Sequence, residues 1–478
     1  MPDSTSSRCS TFSSTLTPEQ TAVVLALTGF AMVISFMTLI MTKRMSAIAA
    51  LVIVPLVFAV AIGLGGQAGD MVLDGLKQVA PTAIMLVFAI LYFGLMIDAG
   101  LFDPLVSLIV RWVGSDPLKV TIGQVILTTV VALDGDGTTT LLVCVSALLP
   151  IYRRLRMNIL MFATIGTMCG SLMNLMPWGG PSARVAAALK LNPAELFAPM
   201  LPSIAAGLAA TFCLAWWFGV RERARLGTQG PQDGEINDTT DAALDAFQRD
   251  PATLRPKLLI PNLILTAGLM VAIVAHVAPP QTLFLGAFAV ALVLNYPALA
   301  DQRARIVAHA GSVLNVAVMV LAAGAFTGVL AGSGMIEAMA MSIVAVLPPQ
   351  VGPYMALIMA GLSMPLSFFL SNDAYYFGVV PVIAQVAQTY GISPAEIGRA
   401  SLLGQPIHAL SPLVAAVYLK CALLGLELVD VQRFVLKWAV GICLVTIIAA
   451  LASGAIPLRG SVVGQANNPS TTASTPLR

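Results

Sequence analysis

Two short polar stretches, each set between apolar runs, contain the residues whose types and spacing could do chemistry. One runs from Asp134 to Thr140 and the other from Ser371 to Phe377. Carboxylate and hydroxyl oxygens suit a hard cation such as Mg²⁺ or Ca²⁺, and carboxylates in a low-dielectric setting can instead carry protons. We therefore expect Asp134, Asp136 and Asp373 to handle a metal or protons.

Either stretch could instead serve only to cap the helix that follows it. Asp134 or Asp136 could cap a helix starting near Thr138, and Asn372 or Asp373 could cap the arm after them. Capping needs only one Ser or Asp for each turn, whereas two matched clusters of polar residues occur here. A binding role is therefore the favoured interpretation.

The elements that carry these stretches belong to a membrane protein. Of the 478 residues, 58% are hydrophobic and 10% are charged, against about 25% charged in soluble domains. Apolar runs long enough to cross a bilayer recur through the chain. The net charge of +2 indicates no nucleic-acid partner. The six cysteines form no C-x-x-C pair, and no phosphate-binding loop for an ATP-driven pump occurs.

Each polar stretch is expected to be the turn of a helical hairpin that re-enters the membrane. The hairpins span about 118–152 and 350–390, and each is followed by a helix broken at a proline, 158–191 and 396–425. Irregular backbone at membrane depth costs several kcal/mol for each unsatisfied group. Such breaks persist only where they line a wet cavity or bind a ligand. Helix N-termini there favour an anion, and helix C-termini and carboxylates favour cations.

The second half of the chain repeats the first. Gly94–Asp103 matches Gly328–Glu337, Asp134–Thr140 matches Ser371–Phe377, and the break at Asn174 matches the break at His408. Paired interrupted helices in inverted repeats indicate a secondary transporter. The predicted fold is an all-α polytopic membrane protein with two re-entrant hairpins and two interrupted helices.

This repeat divides the chain into consecutive regions. They are an N-terminal tail with two scaffold helices (1–78), repeat 1 (79–225), a cytoplasmic linker (226–256), two scaffold helices (257–300), repeat 2 (301–456) and a tail (457–478). A polar connection is expected from Gln67 to Gln78. The distribution of Lys and Arg favours about ten crossings with the N-terminus outside a cytoplasmic (inner) membrane.

Three further site candidates each have a structural explanation as the alternative to a role in binding. Arg184 follows the first break and could either face the site or reach the outer surface as a snorkelling residue. His408 lies at the second break and could titrate near physiological pH or be satisfied by a neighbouring carbonyl. Tyr375 could shape the pocket or serve only in aromatic packing.

At these residues the chain resembles the citrate–metal–proton symporter family (CitMHS) of the ion transporter superfamily. The matching stretches are Phe93–Pro104, Ala132–Thr138, Met173–Arg184, Pro365–Gly378 and Ser401–Pro412. The resemblance implies uptake of citrate as a divalent-metal complex, driven by protons. It also implies kinship with sodium-coupled dicarboxylate transporters, which are dimers whose hairpin-bearing domains move as elevators. Those relatives carry Ser-Asn-Thr at each hairpin tip, and the more acidic tips here argue against sodium coupling.

The resulting hypothesis is a proton-coupled symporter of metal–citrate, not an enzyme. No cofactor is expected: Mg²⁺ or Ca²⁺ is a co-substrate complexed with citrate, and a homodimer is expected. The expected substrate-binding residues are Thr138, Thr139, Asn174, Gly179, Gly180, Arg184, Ser371, Asn372, Tyr375, His408 and Ser411.

Two other kinds of transporter remain as alternatives. One is a sodium- or proton-coupled di/tricarboxylate or gluconate-type carrier, and the other is a cation/proton antiporter. A membrane enzyme or a channel is disfavoured, because the histidines show no metal-ligand spacing and the hairpins suit a gated carrier.

Overall fold

The computed structural model describes residues 17–460 except 136, 227–251, 276 and 349. These residues form helices joined by short turns, with no strand among them, so the predicted all-α architecture is confirmed. The predictions for the N-terminal tail, for most of the linker and for the C-terminal tail after residue 460 lie outside the described residues.

The first half contains three long or apolar helices, a short amphipathic helix, the first hairpin, the first broken helix and a further long helix. The helices are α1 (Pro18–Met41), α2 (Ala47–Ala61), α3 (Ala68–Asp98), α4 (Asp103–Val113), α5 (Pro117–Val131), α6 (Gly137–Arg154), α7 (Ile159–Met173), α8 (Gly180–Leu189) and α9 (Pro193–Leu226). Helices α5 and α6 pack against each other as the first hairpin. The break between α7 and α8 falls where the sequence predicts it.

The second half follows the same order. Its helices are α10 (Leu259–Val274), α11 (Pro280–Asn295), α12 (Leu299–Gly332), α13 (Met335–Val346), α14 (Met355–Phe369), α15 (Val380–Gln388), α16 (Pro394–Leu402), α17 (Gln405–His408), α18 (Ala415–Leu424) and α19 (Leu428–Ala452). Helices α14 and α15 form the second hairpin. The second broken helix consists of α16, the single turn α17 and α18.

Seven helices of the described chain are long and apolar enough to cross a membrane. They include α3 and α12, with 31 and 34 residues. A helix of that length spans about 45–50 Å, more than the roughly 30 Å of hydrocarbon. Shorter apolar helices such as α2, α7 and α11 are present in addition to these seven. The count of ten crossings and their orientation remain predictions.

The two largest of the four clusters of buried apolar side chains in the described chain divide most of the helices between them. The hairpin cluster draws mainly on α4–α9 and α14–α19, with Leu127, Leu148 and Val380 among its members. The scaffold cluster draws mainly on α1–α3 and α10–α13 and includes Phe36 and Phe326. Helix α8 contributes to both clusters. The polar turns and breaks therefore sit on the larger, hairpin-bearing body.

The expected polar connection from Gln67 to Gln78 is wrong, because α3 already begins at Ala68. Its residues are compatible with helix: Ala, Leu, Met, Gln and Lys all have favourable helix propensity. Asp74 and Lys77 are well exposed and form an ion pair at 3.4 Å. The segment is therefore a polar extension of a membrane helix.

The matched helix ends of the two halves share a backbone conformation. Gly100, after α3, has φ +84°, and Gly334, after α12, has φ +77°. This left-handed region favours glycine. Each glycine leads into a short helix with an acidic residue in its first turn, Asp103 or Glu337. This likeness accords with an internal repeat, whose inverted arrangement remains a prediction.

Candidate functional site

The hairpin turns and the helix breaks meet at one cavity of about 180 Å³. Its described lining is mostly apolar, with hydroxyl, amide, imidazole and amine groups among the apolar side chains. The residues that line it with polar side chains are Thr128, Thr140, Thr167, Ser171, Asn174, Asn372, Gln405, His408 and Lys420. Polar groups from separate interruptions of the sequence thus come together around one cavity.

Tip 1, residues 132–137, is a tight reversal between α5 and α6. A 3₁₀ turn, Ala132–Asp134, is followed by Gly135 at φ +77°. The indole Nε1 of Trp178 donates to the Leu133 carbonyl at 2.8 Å, so the first break holds this tip in place. Thr140 lies on the first turns of α6 and faces the cavity.

The structure describes no side chain for four predicted residues of tip 1 and the start of α6. Asp136 lies outside the described residues, and only the backbone is described for Asp134, Thr138 and Thr139. Their proposed roles stay predictions. Gly137 of the same tip lines the cavity, which brings the backbone of this segment to the site.

Tip 2, residues 370–379, has a different construction. The Ser371 hydroxyl accepts from the Ala374 amide at 3.2 Å, and a π-helical segment follows from Ala374 to Val379. Asn372 lines the cavity. Tyr375 is fully buried and donates to the Ser401 carbonyl at 3.2 Å. Tyr375 is therefore in the environment expected of a residue that serves only in packing.

The first break exposes an amide to the cavity. Asn174 ends α7, and its side-chain Oδ1 is buried without a hydrogen-bond partner among the described residues. The hydroxyl of Thr140, which also lines the cavity, is likewise buried without a hydrogen-bond partner among the described residues. Gly179 lies so close to the Asn174 carbonyl that any side chain would overlap it. Buried polar atoms of this kind normally find a partner in protein or water, so a polar ligand would satisfy both.

The second break is tied to the second hairpin by side-chain hydrogen bonds. The His408 Nδ1 lies 2.6 Å from the Ser367 carbonyl oxygen, so this ring nitrogen carries the proton that is donated. Ser411 donates to the Phe368 carbonyl at 2.6 Å. Gln405 donates to the Tyr376 hydroxyl at 2.5 Å. His408 therefore has the neighbouring carbonyl partner that a structural role predicts. It also lines the cavity.

Arg184 forms an ion pair with tip 2. Its Nε lies 2.7 Å from Asp373 Oδ1, and its Nη1 donates to the Gly180 carbonyl at 3.1 Å. The pair joins the helix after the first break to the turn of the second hairpin. Neither residue is among those lining the cavity.

The cation that faces the cavity is Lys420, which the sequence analysis did not single out. It lies on α18 and donates from Nζ to the Thr167 hydroxyl at 2.6 Å. A charged residue inside the apolar run Val414–Leu424 is the signal that could have found it, since such charges are costly in a membrane. Gln405, Thr167 and Ser171 were missed because a single polar residue in an apolar helix is common.

Of the eleven predicted substrate-binding residues, three line the cavity with described side chains: Asn174, Asn372 and His408. Ser371, Tyr375 and Ser411 support its walls through the hydrogen bonds given above. Among the described residues, no three His, Cys, Asp or Glu side chains lie together as a resident metal site would require.

Comparison with known proteins gives strong matches along most of the chain. The family model for CitMHS citrate transporters matches residues 36–404. A Bacillus subtilis (strain 168) citrate transporter is 50% identical, covering 91% of this chain and all of that protein. The Mg²⁺/citrate complex secondary transporter of the same organism is 45% identical with the same coverage.

Solved structures of other transporters share the fold at low identity. The YdaH transporter of Alcanivorax borkumensis aligns with a TM-score of 0.55 at 13% identity, covering 81% of this chain and 88% of that one. MtrF of Neisseria gonorrhoeae aligns with a TM-score of 0.57 at 13% identity, covering 84% and 87%. Both likenesses concern the fold alone.

Proposed function

This chain belongs to the CitMHS family of citrate transporters, so it is a multi-pass membrane transporter rather than an enzyme, and we propose that it imports citrate as a complex with a divalent metal by proton symport. The observation that carries this proposal is that both hairpins and both broken helices contribute polar groups to one cavity. A relative at 45% identity is named for the Mg²⁺/citrate complex.

The cavity chemistry favours a weakly charged complex over bare citrate. Its described polar lining consists of neutral hydroxyl and amide groups with His408 and Lys420, and Arg184 is already paired with Asp373. A bare tricarboxylate would bring three negative charges to a site with few cations. A divalent metal cancels most of that charge and lowers the cost of leaving water.

Carboxylate contacts are assigned to the residues that the sequence analysis proposed. Asn174 and Asn372 would hold the substrate from opposite sides, with Thr138, Ser371 and Arg184 nearby. The metal would arrive with citrate oxygens as ligands and keep waters that hydrogen-bond to the walls, as Mg²⁺ commonly does. The further proposed contributors are Thr139, Gly179, Gly180, Tyr375, His408 and Ser411 to substrate binding, and Asp134, Asp136 and Asp373 to metal or proton handling.

The proposal extends to the assembly and its location. The transporter would be a homodimer in the cytoplasmic membrane, built from inverted repeats. The hairpin cluster would move as an elevator past the scaffold cluster. The described regions of repeat 1 and repeat 2 supply one hairpin and one broken helix each, which is the composition that such a mechanism needs.

A matrix of uptake measurements tests the function. Radiolabelled citrate is offered to proteoliposomes with Mg²⁺, with Ca²⁺ or with a chelator, under an inward proton gradient and without Na⁺. We expect accumulation only with a divalent metal and a proton gradient. Uptake that ignores the metal, or that requires Na⁺, would show that the proposal is wrong.

The variant Asn174→Ala tests whether a cavity residue binds the substrate, and Asn158→Ala on the same helix is its control. Asn174 faces the cavity, whereas Asn158 caps α7 at the other end of the same helix. Loss of one hydrogen bond to a charged ligand is worth about 1.5–3 kcal/mol, or roughly tenfold to a hundredfold in affinity. We expect the half-saturating concentration of metal–citrate to rise by that factor in the cavity variant and to change little in the control.

A further inference from the structure

Lys420 is the only lysine or arginine among the described residues that line the cavity. It projects from α18, the helix that follows the second break. Its Nζ donates to Thr167 on α7 at 2.6 Å, and the Thr167 hydroxyl in turn donates to the Ala163 carbonyl at 2.6 Å. Thr167 therefore acts as an acceptor toward Lys420, a contact that an amine makes whether it is charged or neutral.

The repeat gives Lys420 a counterpart that has a different environment. Arg184 lies on α8 after the first break, as Lys420 lies on α18 after the second. Arg184 is compensated by Asp373 at 2.7 Å. Among the described side chains, no carboxylate lies within ion-pair distance of Lys420. One of the two corresponding cations is thus paired within the protein, and the other faces the cavity.

The surroundings of Lys420 hold few other groups that titrate. The cavity adds Cys144 of α6 and His408 of α17. Cys144 is 3.4 Å from the Thr128 hydroxyl, and His408 Nδ1 is bonded to Ser367. The remaining ionisable groups of the described residues on α18 and the helices packed against it are as follows: Tyr418 and Cys421 on α18, Tyr152, Arg153 and Arg154 at the end of α6, Cys169 on α7, and Asp430, Arg433, Lys437 and Cys443 on α19. The three charged residues of α19 are exposed.

We propose that Lys420 binds a carboxylate of the metal–citrate complex and takes up the transported proton as it does so. This inference rests on the function proposed above. A lysine can exchange its proton as its surroundings change, whereas an arginine remains charged. The arriving complex of a trivalent citrate with a divalent metal has one net negative charge. It stabilises the ammonium form of Lys420, which gains one proton from the outer solution.

The same charge balance explains release. The loaded site contains one ammonium and one net negative complex, so the pair adds no net charge to the moving body. When the complex leaves on the inner side, the ammonium has lost its partner and gives its proton to the cytoplasm. Lys420 thus carries one proton with each complex, and the amine returns with its hydrogen bond to Thr167.

Proton uptake on binding provides the test, using purified full-length protein in weakly buffered detergent solution with a pH indicator. On addition of Mg²⁺–citrate, we expect the wild type to take up about one proton for each complex bound. Lys420→Arg should bind without proton uptake. Lys420→Met should bind about tenfold or more weakly and, at saturating ligand, also without proton uptake, which keeps the test open should arginine not fit the cavity.

Lys77→Met is the matched control, because Lys77 is exposed on α3 away from the cavity. It should bind and take up protons like the wild type. Binding without proton uptake in the wild type, or wild-type proton uptake in either Lys420 variant, would overturn the proposal. A wild type that binds no metal–citrate would instead contradict the function proposed above, so the two failures can be told apart.

Discussion

Arg184 and Asp373 show how a charge predicted to face the substrate can have a partner inside the protein. The sequence places both beside interruptions, where charges are costly unless they are paired or functional. The structure joins them at 2.7 Å. An ion pair between the two repeats would hold the second hairpin tip against the helix that follows the first break. Removing the pair would therefore lower the stability of the site before it changed substrate binding.

This pairing predicts strong coupling in a double-mutant cycle. Arg184→Gln or Asp373→Asn alone leaves a charge without its partner, and each should destabilise the protein by about 1–3 kcal/mol. The estimate is below that for a fully buried pair because the side chains are 25% and 15% exposed. The double variant should lose less than the sum of the two. Thermal unfolding in detergent measures this, and additive losses would contradict the pairing.

The unequal tips predict a division of roles. Tip 1 has Asp134 and Asp136, whereas tip 2 presents the amide of Asn372 to the cavity. Asp136→Asn should alter the metal or pH dependence of uptake more than the preference for citrate, because it removes a hard oxygen ligand. Asn372→Ala should do the reverse, because it removes a hydrogen bond to substrate. Competition assays at several metal concentrations and pH values compare them, and equal effects on both properties would refute the division.

At this scale, sequence reasoning finds residues in clusters and misses isolated ones. Asn174 and Asn372 were found because they lie beside glycine or proline and other polar residues, and both line the cavity. Lys420 was missed because one lysine in an apolar helix looks like a snorkelling side chain. The partner of Arg184 could not be derived, since Asp373 lies 189 positions away in the sequence and no local pattern links the two.

The helices show which structural features follow from local sequence. Both hairpins and both breaks were expected near their observed positions, because polar turns and prolines interrupt long apolar runs. The start of α3 differs from the expectation, because its polar residues predict a loop at the membrane surface, whereas they extend the helix. The π-helical segment of tip 2 had no sequence signal. It arises where Tyr375 and Tyr376 pack into the hairpin cluster and Phe377 into the scaffold cluster.

The crossing of α3 and α12 depends on glycines. A methyl group at Gly75 would overlap the Gly324 carbonyl oxygen, and Gly328 lies beside it. Small residues let membrane helices approach closely. Gly75→Ala should therefore separate these helices and lower stability by about 1–3 kcal/mol, which a lower unfolding temperature would show.

Gly69 supplies the control within the same helix. A methyl group there meets nothing within 4 Å, and alanine is a better helix former by up to about 1 kcal/mol. Gly69→Ala should leave stability unchanged or slightly raised. If both variants lose stability equally, close packing is not the reason for Gly75.

On the scale of the whole molecule, the two apolar clusters suggest which parts move together. The hairpin cluster holds most of the apolar side chains around the tips, the breaks and the cavity, while Trp178 of the first break and Phe377 of tip 2 pack in the scaffold cluster. The scaffold cluster contains the long helices α3 and α12 in close contact. A substrate cavity inside one body can travel with it while remaining intact, which suits an elevator better than a hinge that opens between the two clusters.

A cross-link between the clusters should therefore stop transport. Gly378 of the second hairpin lies against Val33 of α1, since a methyl carbon added at Gly378 would be only 3.3 Å from a Val33 methyl. In a cysteine-free background, Val33→Cys with Gly378→Cys should lose uptake on oxidation and recover it on reduction, because sliding would separate these positions. Gly207→Cys with Thr446→Cys joins neighbouring positions on α9 and α19 within the hairpin-bearing body, and its oxidation should leave uptake intact. Full uptake with Val33 and Gly378 joined would mean that this interface does not move during transport.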